Sequence, residues 1–240
     1  MSRQIKPGDG SHPSRATGLA AQSVPFEAIP VIDFAAMQAG SSLAERQQVS
    51  AQLYNACTQV GFFYIKHHGV PQAVIDQAFA QTQRFFALPL SEKMKIHISQ
   101  SNNHRGYVPL LEENTDPMAK GDLHEALDFA LEVPSNDPDV LAGKTLYGPN
   151  VYPAEFTGFR EAIDQYYWAL YQLGRRIFRA FALALDLPED YFDAKITKPL
   201  AQLRLLHYPP QSNCIDEQQI GTGAHLSLIH ISEPTRRRGI

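Results

Sequence analysis

The sequence predicts an α+β fold, and three observations carry that expectation. Three long stretches, residues 43–60, 73–88 and 154–185, read as helices; short runs rich in β-branched and aromatic residues stand between and after them; and 44% of the 240 residues are hydrophobic, enough to bury one sizeable core. Length favours one domain over two, and no internal repeat or second domain boundary is visible.

Residues 1–28 hold Gly, Pro, Ser and scattered charge without the apolar stretch of a signal peptide, so they read as a disordered leader. Order is expected to begin at Ile29-Pro30-Val31-Ile32-Asp33-Phe34, a short strand whose apolar run Asp33 interrupts. Ser41 or Ser42 suits the cap of the helix over 43–60, with Glu45 in its first turn. Gly61-Phe62-Phe63-Tyr64-Ile65 supplies a strand and His67-His68-Gly69-Val70-Pro71 a turn. His67 and His68 have the chemistry of metal ligands, but beside a glycine turn with no nearby acid they read as structural. The helix over 73–88 collects Val74, Ile75, Ala78, Phe79, Phe85 and Phe86 on its apolar side, and a short helix restarts after Pro89. Asn103-His104-Arg105-Gly106-Tyr107-Val108-Pro109 reads as a loop and strand. His124-Glu125-Ala126-Leu127-Asp128-Phe129 alternates as a strand does, which puts His124 and Asp128 on one face and Glu125 on the other and argues against one shared metal site.

The longest helix is expected over 154–185. Phe156, Phe159, Ile163, Tyr166, Leu170, Leu173, Ile177 and Phe181 recur at steps of three and four and form one stripe, with Pro153 in the first turn and Pro188 at the end. Trp168 and the tyrosines at this spacing read as core and not as a stacking surface for nucleic acid. From Leu203 the pattern alternates: Leu203, Leu205 and His207 face one way, Arg204, Leu206 and Tyr208 the other. An arginine fork and a phenol on one side of a strand suit a dicarboxylate; equally, Tyr208 could pack on the prolines after it and Arg204 pair with an acid.

The net charge of −4 comes from near-balanced acids and bases without a basic face, which argues against a nucleic-acid partner; Arg236-Arg237-Arg238 is too short and too terminal to change that. Cys57 and Cys214 stand far apart without metal or redox spacing, which fits a reducing cytoplasm, and no apolar run approaches membrane-spanning length.

Gly221-Thr222-Gly223-Ala224-His225, read with Leu203-Arg204-Leu205-Leu206-His207-Tyr208-Pro209-Pro210, resembles the start of the iron site of Fe(II)/2-oxoglutarate-dependent dioxygenases of the isopenicillin N synthase-like family. The opening Pro30-Val31-Ile32-Asp33, the run from Gly61 to Pro71, the Phe85-Phe86 to Lys93 segment and Arg105-Gly106-Tyr107 resemble the same family, so that the likeness covers residues 29–225. The resemblance implies an N-terminal dioxygenase module over 29–135, and over 136–225 the long helix and first strands of an incomplete double-stranded β-helix of the jelly-roll or cupin type. It also implies Fe(II), with 2-oxoglutarate as co-substrate and O₂, oxidising a small-molecule substrate. His225 becomes a metal ligand, Tyr208 and Arg204 contacts for 2-oxoglutarate, and Arg105 a partner for a substrate carboxylate unless it is an exposed loop arginine.

The iron motif breaks off. Such sites hold the metal on one face with two His and one carboxylate, the first pair as His-x-Asp because residues i and i+2 of an extended segment point the same way. Here the second position is Ser227, a neutral hydroxyl in place of a hard anionic oxygen, and His230 stands an odd five residues on. The second His and the Arg-x-Ser of the family do not occur before Ile240. Residues 226–240 read as a non-native tail, and the chain as written is expected to be an inactive, C-terminally truncated fragment. The alternatives are an ethylene- and succinate-forming enzyme and a non-catalytic fragment or interaction module.

Overall fold

The computed structural model describes residues 29–114, 121–154, 156–210 and 221. The expected leader, His225 with Ser227 and His230, and the expected tail lie outside the described residues. Contacts divide the chain into two compact units, one running up to His68 and taking in Arg179–Glu189, the other formed by Gly69–Phe178 and the residues from Asp190. Sequence showed no such boundary, because it falls in a tight turn and within a continuous helix where no linker composition marks it.

In the first unit, strand β1 (Val31–Asp33) pairs in parallel with β2 (Tyr64–Lys66), with Ile32 opposite Ile65. Helix α1 (Leu43–Asn55) starts at Ser42, whose Oγ accepts from the Glu45 amide while Glu45 Oε2 accepts from the Ser42 amide at 2.7 Å, a reciprocal capping box. The next five residues, Ala56–Val60, form a π turn closed by Gly61 in the left-handed region (φ +87°). The expected strand therefore starts only at Tyr64, since Gly61 is consumed by the helix end. His67 is structural here: its Nδ1 lies 2.9 Å from Asp33 Oδ1, and its carbonyl accepts from Gln38 Nε2 at 3.0 Å, bracing a residue with φ +52°. Arg46 holds Glu189 through Nε at 3.0 Å and Nη2 at 3.1 Å.

The second unit contains α2 (Gln72–Phe86), a short α3 (Leu90–Lys93), β3 (Gly106–Val108), β4 (Glu125–Ala130), a short α4 (Pro138–Leu141) and β5 (Gln202–His207). Strands β3, β4 and β5 form an antiparallel sheet with β4 in the centre, which explains why every residue of β4 is buried. Its register sets Glu125 against His207, Leu127 against Leu205 and Asp128 against Arg204, so the two faces of the sheet match the alternation read from sequence. On one face Tyr107, Leu127, Phe129 and Leu205 join Ala78, Phe85 and Phe86 of α2 and Phe159 and Ile163 in a single core cluster. Phe79 departs from expectation and is 63% exposed, because at helical spacing the face through Ala78, Phe85 and Phe86 is completed by Gln81 and not by Phe79.

Helix α5 (Phe159–Ala184) starts five residues later than expected. Gly158, in the left-handed region with φ +79°, makes the turn that delays it. It ends at Ala184, beside the expected Leu185, in a Schellman motif: Asp186 takes φ +55°, its amide donates to Leu183 O, and the Leu187 amide donates to Ala182 O, with Pro188 just beyond. Trp168, expected in the core, is 46% exposed and packs edge-on against Tyr167 and Tyr171. The helix stripe centred on Phe159 and Ile163 leaves that position at the rim.

Candidate functional site

The side of the sheet opposite the core gathers the polar residues. β4 and the residue before it present His124, Ala126 and Asp128; β5 and the residue after it present Arg204, Leu206 and Tyr208. Asp128, 1% exposed at its side chain, accepts from Arg204 Nε and Nη2 at 2.7 Å each, a fork-to-carboxylate pair across the strands. The third guanidinium nitrogen, Nη1, donates to Glu113 Oε2 at 2.8 Å. The same oxygen lies 2.8 Å from His124 Nε2, while His124 Nδ1 lies 3.0 Å from Gly221 O. The Tyr208 ring sits 5.3 Å from the His124 ring, and a Cβ on Gly221 would come within 3.3 Å of it. Gly221, the first residue of the Gly-x-Gly-x-His motif, is thus seated against this cluster.

Arg204 therefore pairs with acids, one of the two readings its sequence position allowed. Those hydrogen bonds, led by Asp128, hold its guanidinium well above the ordinary arginine range despite burial. Of the two carboxylates that meet the guanidinium, Glu113 is the more accessible, 31% exposed on a loop, whereas Asp128 is locked in the sheet. Sequence placed His124, Asp128, Arg204 and Tyr208 on common faces of their strands. It gave no sign of Glu113, a loop residue outside any periodic element.

The opposite face of the same strands carries a second polar group. Glu125 accepts from Lys93 Nζ at 2.6 Å, from the Tyr107 hydroxyl and from His207 Nδ1 at 2.8 Å, and Lys93 Nζ also donates to Phe86 O at 3.1 Å. Burial pushes the Glu125 carboxyl up, but the three donors outweigh it and hold it below its ordinary value. Burial, with Glu125 beside it, raises the Tyr107 hydroxyl well above the ordinary tyrosine range. This group secures the sheet from the core side.

Arg105 is not an exposed loop arginine: it is 3% exposed, and its Nη1 and Nη2 donate to the carbonyls of Asn103, His104 and Leu146 at 2.7, 3.2 and 2.8 Å. Its Nε has no partner among the described residues, and burial lowers its guanidinium below the ordinary range. An apolar groove of about 290 Å³, lined by Tyr171, Gly174, Phe178, Ile196, Pro199 and Leu203, meets β5 from the face opposite Arg204 and stands apart from the cluster. Among the described residues no three His, Cys, Asp or Glu side chains converge to hold a metal ion, and the expected ligand His225 lies outside them. No helix among the described residues is long and apolar enough to cross a membrane.

Comparison with known proteins extends this picture. Residues 29–155, just over half of the chain, match the family described as non-haem dioxygenase in morphine synthesis N-terminal. The chain is 34% identical over 200 residues to the 2-oxoglutarate-Fe(II) type oxidoreductase hxnY of Emericella nidulans, covering 82% of this chain and 57% of that protein. It is 32% identical over 226 residues to the 2-oxoglutarate-dependent dioxygenase tropC of Talaromyces stipitatus, covering 90% and 69%. The chain thus spans about six-tenths of the length of the curated relatives it matches. Among solved structures, a putative 2OG-Fe(II) oxygenase family protein from Caulobacter crescentus superposes with a TM-score of 0.66 at 27% identity, covering 77% of this chain and 57% of the other. A full-length Neurospora crassa protein in complex with alpha-KG superposes at 0.67 and 24% identity, covering 82% and 60%, and supports the fold alone. A helical N-terminal part, the first strands of a jelly roll, a family match over residues 29–155 and relatives more than 30% identical converge: the chain belongs to the Fe(II)/2-oxoglutarate-dependent dioxygenases of the isopenicillin N synthase-like family.

Proposed function

We propose that the protein takes part in Fe(II)- and 2-oxoglutarate-dependent oxidation of a small-molecule substrate, and that Arg204 and Tyr208 meet the 2-oxoglutarate carboxylate. One observation carries the assignment: a single carboxylate oxygen, that of Glu113, is held between Arg204 Nη1 and His124 Nε2 at 2.8 Å each, beside the Tyr208 ring. A pair of donors that grips a partly exposed side-chain carboxylate has the chemistry to grip that of a ligand in its place. Asp128 keeps the guanidinium oriented throughout. In this reading residues 29–135 are the N-terminal module, 136–225 the long helix and first barrel strands, and His225 an iron ligand; bound Fe(II) supplies the activation of O₂. Arg105, buried with one donor to spare, takes the role of substrate-carboxylate partner. The balanced charge and two separated cysteines support a cytoplasmic enzyme acting without nucleic acid or membrane.

Calorimetric titration with 2-oxoglutarate tests the assignment. Saturable binding is expected, weakened about 10-fold in Arg204→Lys, which keeps the charge and loses the fork. Binding indifferent to that substitution would remove Arg204 and Tyr208 from the site. Iron-dependent succinate release by a protein carrying the relatives' remaining length tests the reaction itself.

A further inference from the structure

Away from the cluster around Arg204, three side chains form a relay that the dioxygenase reaction does not use. His97 Nδ1 lies 2.7 Å from Ser99 Oγ and 3.2 Å from the Ser99 amide nitrogen, and His97 Nε2 lies 2.9 Å from Glu112 Oε2. The hydrogen bonds fix the protons. A backbone amide only donates, so Nδ1 is the bare nitrogen; the ring proton is then on Nε2, where the Glu112 carboxylate accepts it. The Ser99 hydroxyl is left to donate to Nδ1. A hydroxyl, an imidazole base and a carboxylate that orients the base are the arrangement by which proteins activate serine as a nucleophile. The imidazole is 13% exposed, whereas Ser99 is open to solvent, so the base is held in place and the hydroxyl is reachable.

We propose that Ser99 is an activated nucleophile that takes acyl groups from activated esters. Ser99 Oγ bonds to the acyl carbon while its proton passes to His97 Nδ1. The bond from that carbon to the leaving oxygen breaks, and His97 returns the proton to the departing alkoxide or phenoxide, leaving an ester on Ser99 and a free alcohol or phenol. Nothing is oxidised or reduced. The modification is stoichiometric. The amides of Ser99, Gln100 and Ser101 already donate, to His97 Nδ1, to His97 O at 2.9 Å and to Ile98 O at 3.1 Å, so none of the three serves as an oxyanion donor; an activated ester, with its good leaving group, reacts without that help, whereas hydrolysis of the unactivated ester on Ser99 does not.

The test incubates the full chain with 4-nitrophenyl acetate and follows nitrophenolate release, intact mass and peptide mapping. Ser42, whose hydroxyl donates to Glu45 and meets no imidazole, is the internal reference. Acetylation is expected at Ser99 with no more than one equivalent released from that site, absent in Ser99→Ala. His97→Gln, which can still accept from the Ser99 amide, should slow it about 100-fold. Glu112→Gln should slow it less, and Glu112→Asp should recover part of the loss, which marks Glu112 as a positioning residue. Acetylation of Ser99 no faster than that of Ser42 in the same molecule, or unchanged in a folded His97→Gln protein, would overturn the proposal.

Discussion

Lys93 and Glu125 show how much a single buried side chain carries. Their side chains are 8% and 9% exposed, and the Glu125 carboxylate collects an ammonium, a phenol and an imidazole. Removing one member strands the others in a place where water cannot replace it. Lys93→Met should lower stability by about 3 kcal/mol in urea unfolding. Adding Glu125→Gln to it should restore part of that loss, because the stranded charge is then gone; two additive losses would show that the pair is not coupled.

Backbone geometry decides the cost at the level of single elements. Gly106 enters β3 at φ +125°, and a Cβ there would lie 2.5 Å from Ile96 O and 3.2 Å from Ile98 Cα, both backbone atoms that cannot swing away. Gly106→Ala should therefore cost about 2 kcal/mol or more and show as a lower thermal midpoint. The glycine of Arg105-Gly106-Tyr107 was readable as a motif, whereas its reason, the close passage of the 96–98 segment, was not. The α1 cap is the opposite case: Ser42 and Glu45 were legible as a helix start, and only the choice between Ser41 and Ser42 needed the structure. Ser42→Ala should cost roughly 1 kcal/mol, while Ser41→Ala should leave the midpoint within error.

For the molecule as a whole, pH should bracket stability from both sides. Asp33, Glu45, Glu125, Asp137 and Asp139 all sit below their ordinary values, Asp139 at about 2 through Lys144 and Lys198. Groups lowered on folding contribute fully above the ordinary carboxylate range and lose that contribution as pH falls through their folded values. Burial raises Tyr107, Tyr152 and Tyr167, the last to about 12. Groups raised on folding contribute fully below the ordinary tyrosine range, and that is lost as pH rises toward 12. Thermal midpoints measured across pH should form a plateau between those ranges; a midpoint that keeps rising into acid would contradict the sign of the carboxylate effects.

Local chemistry and periodicity in the chain determined the element types, the caps, the two faces of β4 and β5, and the family, since spacing and turn residues are properties of neighbours in sequence. Tertiary structure alone decided which side chains meet. Glu113 reaches Arg204 across 91 positions, and Lys93 reaches Glu125 across 32. It also decided that Gln81 and not Phe79 completes the buried side of α2, that Trp168 stands at a rim, and that α5 serves two compact units. A residue's distant neighbours depend on how elements pack, and packing is set jointly by all of them, so no local window of the sequence contains it.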